Sequence, residues 1–282
     1  MRQSLNISAE TEDTEEFDML KRVLTSIIGL AVFFAVVFTH HYVLYCVVTL
    51  IVLGMLYEMY GVMSAHKTVR LVGYISGVII CGGYILNRQM LGMTAACMLF
   101  LTAMVFLHGR VSSKRLMSAA FATIVIAVLM SSLFMIRKRF DSYSVLLPFV
   151  CAWLTDTGAY FTGKLIGKHK LAPNVSPKKT IEGSVGGIIL SCIGCAAYIY
   201  IMVFTQAGGV PREMITAKFV LIGFVGSILS QIGDLAASCI KRDCSKKDYG
   251  TLLPGHGGLL DRFDSVLFAA PFVYYTMLYI IF

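Results

Sequence analysis

Charged residues are scarce in this sequence: Asp, Glu, Lys and Arg make up 14% of its 282 residues, whereas hydrophobic residues make up 57%. A soluble globular domain carries about 25% charged residues. The apolar residues occur in runs, and a membrane-spanning helix needs roughly 20 consecutive, mostly apolar residues. The scarcity of charge therefore excludes an ordinary soluble protein and predicts an all-α, polytopic integral membrane protein.

A soluble basic domain is also absent, although the net charge is +8. The lysines and arginines lie between apolar runs, where they would meet anionic lipid headgroups and soluble phosphates rather than a nucleic-acid duplex. We therefore expect the lipid bilayer and anionic small molecules as partners, and no nucleic acid.

Two further features are missing. The first twenty residues are polar and acidic, so we expect no cleavable signal peptide. Eight cysteines are present, but six fall inside apolar runs, where cysteine behaves as a small apolar residue. Cys192 and Cys195 form a CxxC without the second pair that would complete a zinc site. We expect no metal or redox chemistry from the cysteines.

The apolar runs divide the chain. They predict about nine spans, near residues 23–39, 42–62, 70–87, 90–107, 116–136, 144–163, 184–205, 216–237 and 262–282. Residues 1–20 are expected to form a polar, flexible, cytoplasmic tail. Residues 21–282 are expected to form a single transmembrane domain, with its catalytic half at about 150–265.

Lysine and arginine are distributed unevenly between the two sides that nine spans define. Of the 24 such residues, 18 fall on the side of the N-terminus and 6 on the other. Because positive charge marks the cytoplasmic side, we expect a cytoplasmic N-terminus and a non-cytoplasmic C-terminus. Two polar loops, residues 164–183 and 238–261, would share the cytoplasmic face. The short N-terminal region favours a bacterial plasma (inner) membrane.

The first polar loop contains several motif fragments. Gly158 to Lys164 fits most of a P-loop, but Leu165 stands where a magnesium-binding hydroxyl belongs, and no strand precedes it. Ser176 to Lys179 fits the SxxK of penicillin-binding enzymes, which act in soluble domains that this chain lacks. What remains is an anion site of basic side chains beside glycine-rich turns, or a loop whose lysines only set the topology. Its lysines are Lys164, Lys168, Lys170, Lys178 and Lys179.

The second polar region begins on a helix. Asp234, Ser238 and Lys241 are spaced i, i+4, i+7, so they line one helix face, and Arg242 follows directly. A carboxylate at membrane depth is unfavourable unless it is paired or metal-bound. Asp156 is a second acidic residue of this kind, in an earlier run.

The last apolar run also begins with carboxylates. It follows the flexible segment PGHGG, residues 254–258, and starts with Asp261 and Asp264, three residues apart. Carboxylates from two helices beside Lys and Arg suit Mg²⁺ together with phosphate. The alternative is a helix start at which acidic residues are favoured by the helix dipole. Glu58 is a further acid inside an apolar run, and the sequence indicates no partner for it.

These segments resemble a known family. SCIKRDCSKKDYGTLLPGHGGLLDRFD, residues 238–264, is similar to the signature of the phosphatidate cytidylyltransferases, the CDP-diacylglycerol synthases. The upstream DTGAYFTGK and SPKKTIEG segments resemble the same family, so the similarity covers about the last half of the chain. The signature positions are filled by Ser238, Lys241, Arg242, Lys247, Asp248, Gly250, His256, Gly257, Gly258, Asp261, Arg262 and Asp264.

The resemblance implies that CTP and phosphatidic acid react to CDP-diacylglycerol and pyrophosphate, for phospholipid biosynthesis. It implies Mg²⁺ as the cofactor, bound by Asp234, Asp261 and Asp264, and K⁺ as a second candidate ion. The expected catalytic residues are Lys241, Arg242, Asp261 and Asp264. The expected substrate-binding residues are Asp156, Lys164, Ser176, Lys178, Lys179, Ser238, Lys247, His256, Gly257, Gly258 and Arg262. The choice of Lys178 and Lys179 between CTP and lipid phosphate stays open, and the resemblance further implies a homodimer.

Two other classes of function are compatible with parts of this pattern. A polyprenol or dolichol kinase, or a transferase acting on an ether lipid, shares the metal and phosphate chemistry, but the complete signature argues against the kinases. A transporter would line a pathway with intramembrane charges and show inverted repeats with broken helices. The sequence contains no such repeat, and its polar residues gather on one face.

Overall fold

A computed structural model of the chain describes residues 27–206, 212–252 and 257–281. The predicted tail, residues 1–20, and His256 lie outside these ranges. The helices are α1 (Ile27–Phe38), α2 (His41–Val62), α3 (Lys67–Ile85), α4 (Gln89–Phe106), α5 (Ser113–Arg139), α6 (Leu147–Ile166), α7 (Ile181–Gln206), α8 (Arg212–Asp243) and α9 (Leu260–Thr276). A 3₁₀ turn (Ser144–Leu146) precedes α6, and a π-helical turn (Met277–Ile281) extends α9. Strands β1 (Lys170–Ala172) and β2 (Ser176–Thr180) lie between α6 and α7.

The prediction of an all-α, polytopic membrane protein is confirmed. Within the described ranges, seven helical segments are long and apolar enough to cross a membrane. The two helices outside this group are α1, whose described part is short, and α9, whose first two turns carry charged residues. The count of nine spans therefore stays a prediction. Large apolar side chains face outward, as lipid contact requires: Leu50, Phe106 and Phe121 are between 66% and 79% exposed.

Helix α5 forms the centre of the bundle. It is 27 residues long, and its side chains are buried against α2, α3 and α9. Its apolar residues occur on all sides, which is typical of a helix surrounded by others. A polar contact between buried side chains joins the Tyr60 hydroxyl on α2 to Thr123 on α5. The core therefore combines apolar packing with a satisfied polar pair.

The basic end of α5 closes one end of the bundle. Arg137 donates a hydrogen bond to the carbonyl oxygen of Thr39, at 3.3 Å, and Lys138 donates one to the carbonyl oxygen of Ile85, at 3.0 Å. Cations are favoured at the carbonyl ends of helices. The helices α1, α3 and α5 therefore end at the same side, as alternating spans require.

Glycines bring α6 and α7 close together. A Cβ atom at Gly158 would lie 2.7 Å from the carbonyl oxygen of Gly186 and 3.0 Å from the Cα atom of Gly187. Small residues permit such close approach of helix backbones within membranes. This contact holds the two helices on either side of the β1–β2 hairpin and thereby positions the hairpin.

Two local features differ from the sequence prediction. Residues 164–183 were expected to form a loop, but β1 and β2 pair antiparallel within them, with Ala172 opposite Ser176. Strands of three and five residues are too short to give a clear periodic signal. The second polar loop was expected to start at residue 238, but α8 continues to Asp243. It ends where Ser245 adopts a positive φ of 56° and the Lys246 amide donates to the Lys241 carbonyl oxygen.

Candidate active site

Three elements meet at the end of the bundle opposite to Arg137 and Lys138. Lys179 on β2 forms an ion pair with Asp234 on α8. Further along α8, the Lys241 ammonium lies 2.5 Å from the Asp261 Oδ1 atom at the start of α9. The two polar regions of the sequence are therefore joined by two lysine–aspartate pairs.

One face of α8 supplies the middle of the site. Ser238 donates a hydrogen bond to the Oδ1 atom of Asp234, at 3.4 Å, one helical turn before it. Ser238 and Lys241 are only 7% and 8% exposed. A lysine this deeply buried is unfavourable unless an anion compensates it, and Asp261 provides that anion. The helix-face prediction from the i, i+4, i+7 spacing thus matches the geometry.

Asp264 on α9 is the next acidic residue of the site. It is 8% exposed, and its Oδ1 atom accepts a hydrogen bond from the Ser265 amide at 2.7 Å. Helix α9 approaches α8 so closely that a Cβ atom at Gly233 would lie 2.6 Å from the Asp264 carbonyl oxygen. The Asp264 carboxylate consequently interacts electrostatically with Asp234 and with Asp156 on α6.

The site contains more carboxylates than cations. Asp156, Asp234, Asp261 and Asp264 face the ammonium groups of Lys179 and Lys241. In the described part of the chain, no three His, Cys, Asp or Glu side chains lie close enough together to hold a metal ion. Mg²⁺ needs only one or two protein carboxylates, because water and substrate phosphates fill its other positions. An oxygen-only donor set with excess negative charge fits such a cation, and the individual ligands stay a prediction.

Tyr249 belongs to the site but was not predicted from the sequence. Its amide donates to the Oδ2 atom of Asp261 at 2.9 Å, and its hydroxyl donates to the Ala237 carbonyl oxygen at 2.9 Å. The Lys241 ammonium lies 5.3 Å from the centre of its ring. Burial, together with the negative charge of Asp261, raises the pKa of the Tyr249 phenol. Tyr249 therefore binds one oxygen of Asp261 and contacts the lysine that binds the other. In the sequence, only its position directly after the Lys-Asp of the signature could have indicated this.

Glu58 lies beside the same junction. Its two carboxylate oxygens accept hydrogen bonds from the amides of Leu259 and Leu260, at 2.9 and 2.8 Å. The sequence showed Glu58 as an acid in an apolar run without a partner, and the partner is the N-terminus of α9, some two hundred residues later. No local pattern in the sequence could reveal a pair so distant along the chain.

Several predicted residues lie away from the lysine–aspartate pairs. Lys178 is exposed, and as the neighbour of Lys179 in a strand it points to the opposite face. Lys164 lies over the exposed ring of Tyr160, 5.9 Å from its centre. Lys247 is exposed in the segment after α8, and Ser176 stands at the start of β2, opposite Ala172.

The remaining predicted residues frame the site. Arg242 donates to the carbonyl oxygen of Val175 at 3.3 Å and to that of Lys246 at 3.0 Å, so it joins the hairpin turn to the segment after α8. Gly257 has a φ of +82°, a conformation that favours glycine. A Cβ atom at Gly258 would lie 2.6 Å from the Oδ2 atom of Asp261. The two glycines therefore allow the chain to turn tightly before α9.

An apolar groove adjoins the site at Asp264 and Tyr249. It has a volume of about 1020 Å³ and lies between α2, α5, α8 and α9. Asp264 and Gly233 belong to its wall, Lys114 and Asp243 are its other charged residues, and most of the rest are apolar, including Phe121, Leu129 and Phe268. A second apolar cavity, of about 630 Å³, lies beside α1 and α2 and contains Arg262.

Comparison with known proteins identifies the family of this chain. The profile of the cytidylyltransferase family matches residues 20–280, which is nearly the whole chain. The chain belongs to the cytidylyltransferase family. Two relatives named phosphatidate cytidylyltransferase, from Staphylococcus aureus and Staphylococcus saprophyticus, are each 36% identical over 90% of this chain and 96% of their own length. A third, from Staphylococcus haemolyticus, is 34% identical over the same shares.

The family match extends beyond the part that the sequence motifs indicated. Those motifs lie in the last half of the chain, whereas the cytidylyltransferase profile begins before α1. The structure gives a physical reason, because Glu58 on α2 contacts the start of α9 and α5 lines the groove beside Asp264. In this member of the family, the first half of the bundle therefore contacts the elements of the candidate site.

Proposed function

We propose that this protein transfers the cytidylyl group of CTP to phosphatidic acid, giving CDP-diacylglycerol and pyrophosphate for phospholipid synthesis. The observation that carries the proposal is the position of the lysine–aspartate pairs beside the groove between α2, α5, α8 and α9. The polar end of this groove would receive the phosphates of the substrates, and its long apolar wall would receive the acyl chains of the lipid. The relatives' shared name, phosphatidate cytidylyltransferase, supports the same substrate.

The chemistry follows from charge and position. A phosphate oxygen of phosphatidic acid attacks the α-phosphorus of CTP, a new O–P bond forms, and the bond to the β-phosphate oxygen breaks with departure of pyrophosphate. No side chain has to act as a covalent nucleophile. Catalysis of such transfers rests mainly on positioning and on neutralising phosphate charge. We assign both tasks to Lys179 and Lys241, whose ammonium groups are already held within the site by aspartates.

Mg²⁺ is the cofactor that this donor set fits. One or two of Asp234, Asp261 and Asp264 at a time would hold it, since no three such side chains in the described part of the chain lie close enough to share one ion. A monovalent cation such as K⁺ would lie nearby. When bound, such a cation would offset the negative charge of the phosphates. Arg242 at the rim and the Gly257–Gly258 turn would contact phosphate oxygens through side-chain and backbone donors.

The orientation in the membrane is part of the proposal. The end with the lysine–aspartate pairs would face the cytoplasm, where CTP is available, in the plasma (inner) membrane of a bacterium. The bacterial relatives are compatible with this location. A homodimer stays a prediction from the family resemblance.

The test uses purified protein in detergent micelles with phosphatidic acid and CTP labelled on the α-phosphate. We expect label in the lipid fraction when Mg²⁺ is present and none after its removal with a chelator. Asp261→Asn should lower this transfer by at least about a hundredfold, since it removes a charge next to the reacting phosphates. Asp141→Asn is the matched control, because Asp141 only accepts a hydrogen bond from the Ser144 amide outside the site.

Two results would contradict the proposal. Full activity of Asp261→Asn in the presence of Mg²⁺ would show that the reaction does not need the Asp261 carboxylate. Transfer of label from γ-labelled CTP to a polyprenol, with none from α-labelled CTP to phosphatidic acid, would identify a kinase instead.

A further inference from the structure

Glu58 is a buried carboxylate that the chemistry above does not use. It lies near the end of α2, is 2% exposed, and each of its oxygens accepts one backbone hydrogen bond at the start of α9. A carboxylate inside an apolar helix is unfavourable unless it is fully bonded. The bonded state of Glu58 therefore depends on one position of the backbone at Leu259 and Leu260.

The same carboxylate contacts the segment before α9 at two further points. A Cβ atom at Gly250 would lie 2.7 Å from the Oε1 atom of Glu58, and one at Gly258 would lie 2.9 Å from Oε2. The segment that connects α8 to α9 is thus packed against Glu58 at Gly250, in its middle, and at Gly258, near its end. A side chain at either point would push the Glu58 carboxylate and the backbone apart.

The contacts continue from Glu58 into the active site. The residue after Leu260 is Asp261, whose Oδ1 atom pairs with Lys241 and whose Oδ2 atom accepts the Tyr249 amide. Tyr249 precedes Gly250, so Asp261 binds the backbone directly beside the point at which Gly250 packs against Glu58. A shift of the α9 start would move the Asp261 carboxylate relative to Lys241.

We propose that Glu58 is a positioning residue that fixes Asp261 against Lys241 from a helix outside the catalytic half of the chain. It does not touch the substrates and acts through the backbone of Leu259 and Leu260. Its effect on turnover rests on the proposed cytidylyl transfer, whereas its effect on the backbone does not. A helix cap without a positioning role would contribute to stability alone.

The test compares Glu58→Gln with wild-type protein in detergent, in two measurements. Hydrogen exchange of the Leu259, Leu260 and Tyr249 amides is measured without substrate, and kcat and KM for CTP are measured by the transfer assay. Glutamine keeps one acceptor oxygen but turns an amide group toward a backbone N–H. Tyr57→Phe is the matched control, because Tyr57 is the neighbouring residue of α2 and is 56% exposed.

We expect faster exchange at all three amides in Glu58→Gln and unchanged exchange in the middle of α2. We expect kcat to fall by about 10- to 100-fold, as for a small misplacement of a reacting group, with KM for CTP nearly unchanged. Glu58→Asp keeps the charge but shortens the side chain by one methylene, and it should give an intermediate kcat. If Glu58→Gln does not yield folded protein, Glu58→Asp carries both measurements.

Unchanged exchange at Leu259 and Leu260 would overturn the proposal, since the carboxylate would then not hold the backbone. Faster exchange with unchanged kcat would also overturn it, because Glu58 would then be a helix cap only. If wild-type protein formed no CDP-diacylglycerol, the cytidylyl transfer to phosphatidic acid would fail, and the exchange measurement would still decide whether Glu58 holds the start of α9.

Discussion

At the scale of single residues, the site consists of charged side chains that are held by specific partners. Lys179 and Lys241 are each held by an aspartate, and Glu58 is held by two backbone amides. The sequence indicated the two lysines because they belong to dense charge clusters with recognisable spacing. It could not separate Lys178 from Lys179, since the strand that turns them to opposite faces was not predicted.

Substitution of these neighbouring lysines should have very different effects. Lys179→Met removes a cation to which we assign contact with the phosphates, and a hydrogen bond to a charged group contributes about 1.5–3 kcal/mol. We therefore expect kcat/KM for CTP to fall by about 10- to 100-fold. Lys178→Met is the matched control and should leave kcat/KM nearly unchanged, because Lys178 is exposed on the other face of β2. Equal losses of kcat/KM in the two variants would contradict this assignment, because the two lysines would then contribute equally to activity from opposite faces of β2.

At the scale of elements, the helices were predictable and the hairpin was not. Long apolar runs indicated α2 to α8, because lipid requires every backbone amide to be bonded within its own helix. The predicted ends are correct to within four residues, except that α8 continues six residues beyond its predicted end. The hairpin depends on contacts that the sequence does not display, namely Arg242 with Val175 and Lys179 with Asp234. The close approach of α6 to α7 positions the hairpin and depends on glycines at the helix contact. The sequence alone does not distinguish these glycines from glycines in flexible turns.

Two glycine substitutions test the importance of this approach. Gly158→Ala places a methyl group 2.7 Å from the Gly186 carbonyl oxygen, and overpacking of this kind costs about 1–3 kcal/mol. Gly82→Ala on α3 is the control, because no atom lies within 4 Å of the added methyl group. We expect a lower unfolding midpoint for Gly158→Ala alone, followed in detergent through the fluorescence of the single tryptophan, Trp153 on α6. Equal midpoints would mean that α6 and α7 can separate without loss of stability.

At the scale of the whole molecule, the bundle has two chemically different ends. One end contains the lysine–aspartate pairs and Lys114 at the start of α5, and the other contains Arg137 and Lys138 at the end of α5. With 27 residues, α5 is about 40 Å long, which exceeds the roughly 30 Å of the hydrocarbon layer. The distribution of lysine and arginine predicted which end faces the cytoplasm, whereas the geometry only establishes that the two ends lie on opposite sides of the bundle.

Reporter fusions at the two ends of α5 test the orientation. We expect green fluorescent protein fused after Arg110 to be fluorescent in a bacterial host, and alkaline phosphatase fused after Asp141 to be active, since the first reporter functions in the cytoplasm and the second outside it. The exchanged fusions, with each reporter at the other position, are the matched controls and should be silent. The reverse pattern would place the lysine–aspartate pairs on the outer face, away from CTP. Because the phosphates of CTP cannot cross the apolar interior of the bundle, that result would contradict the proposed reaction as well as the orientation.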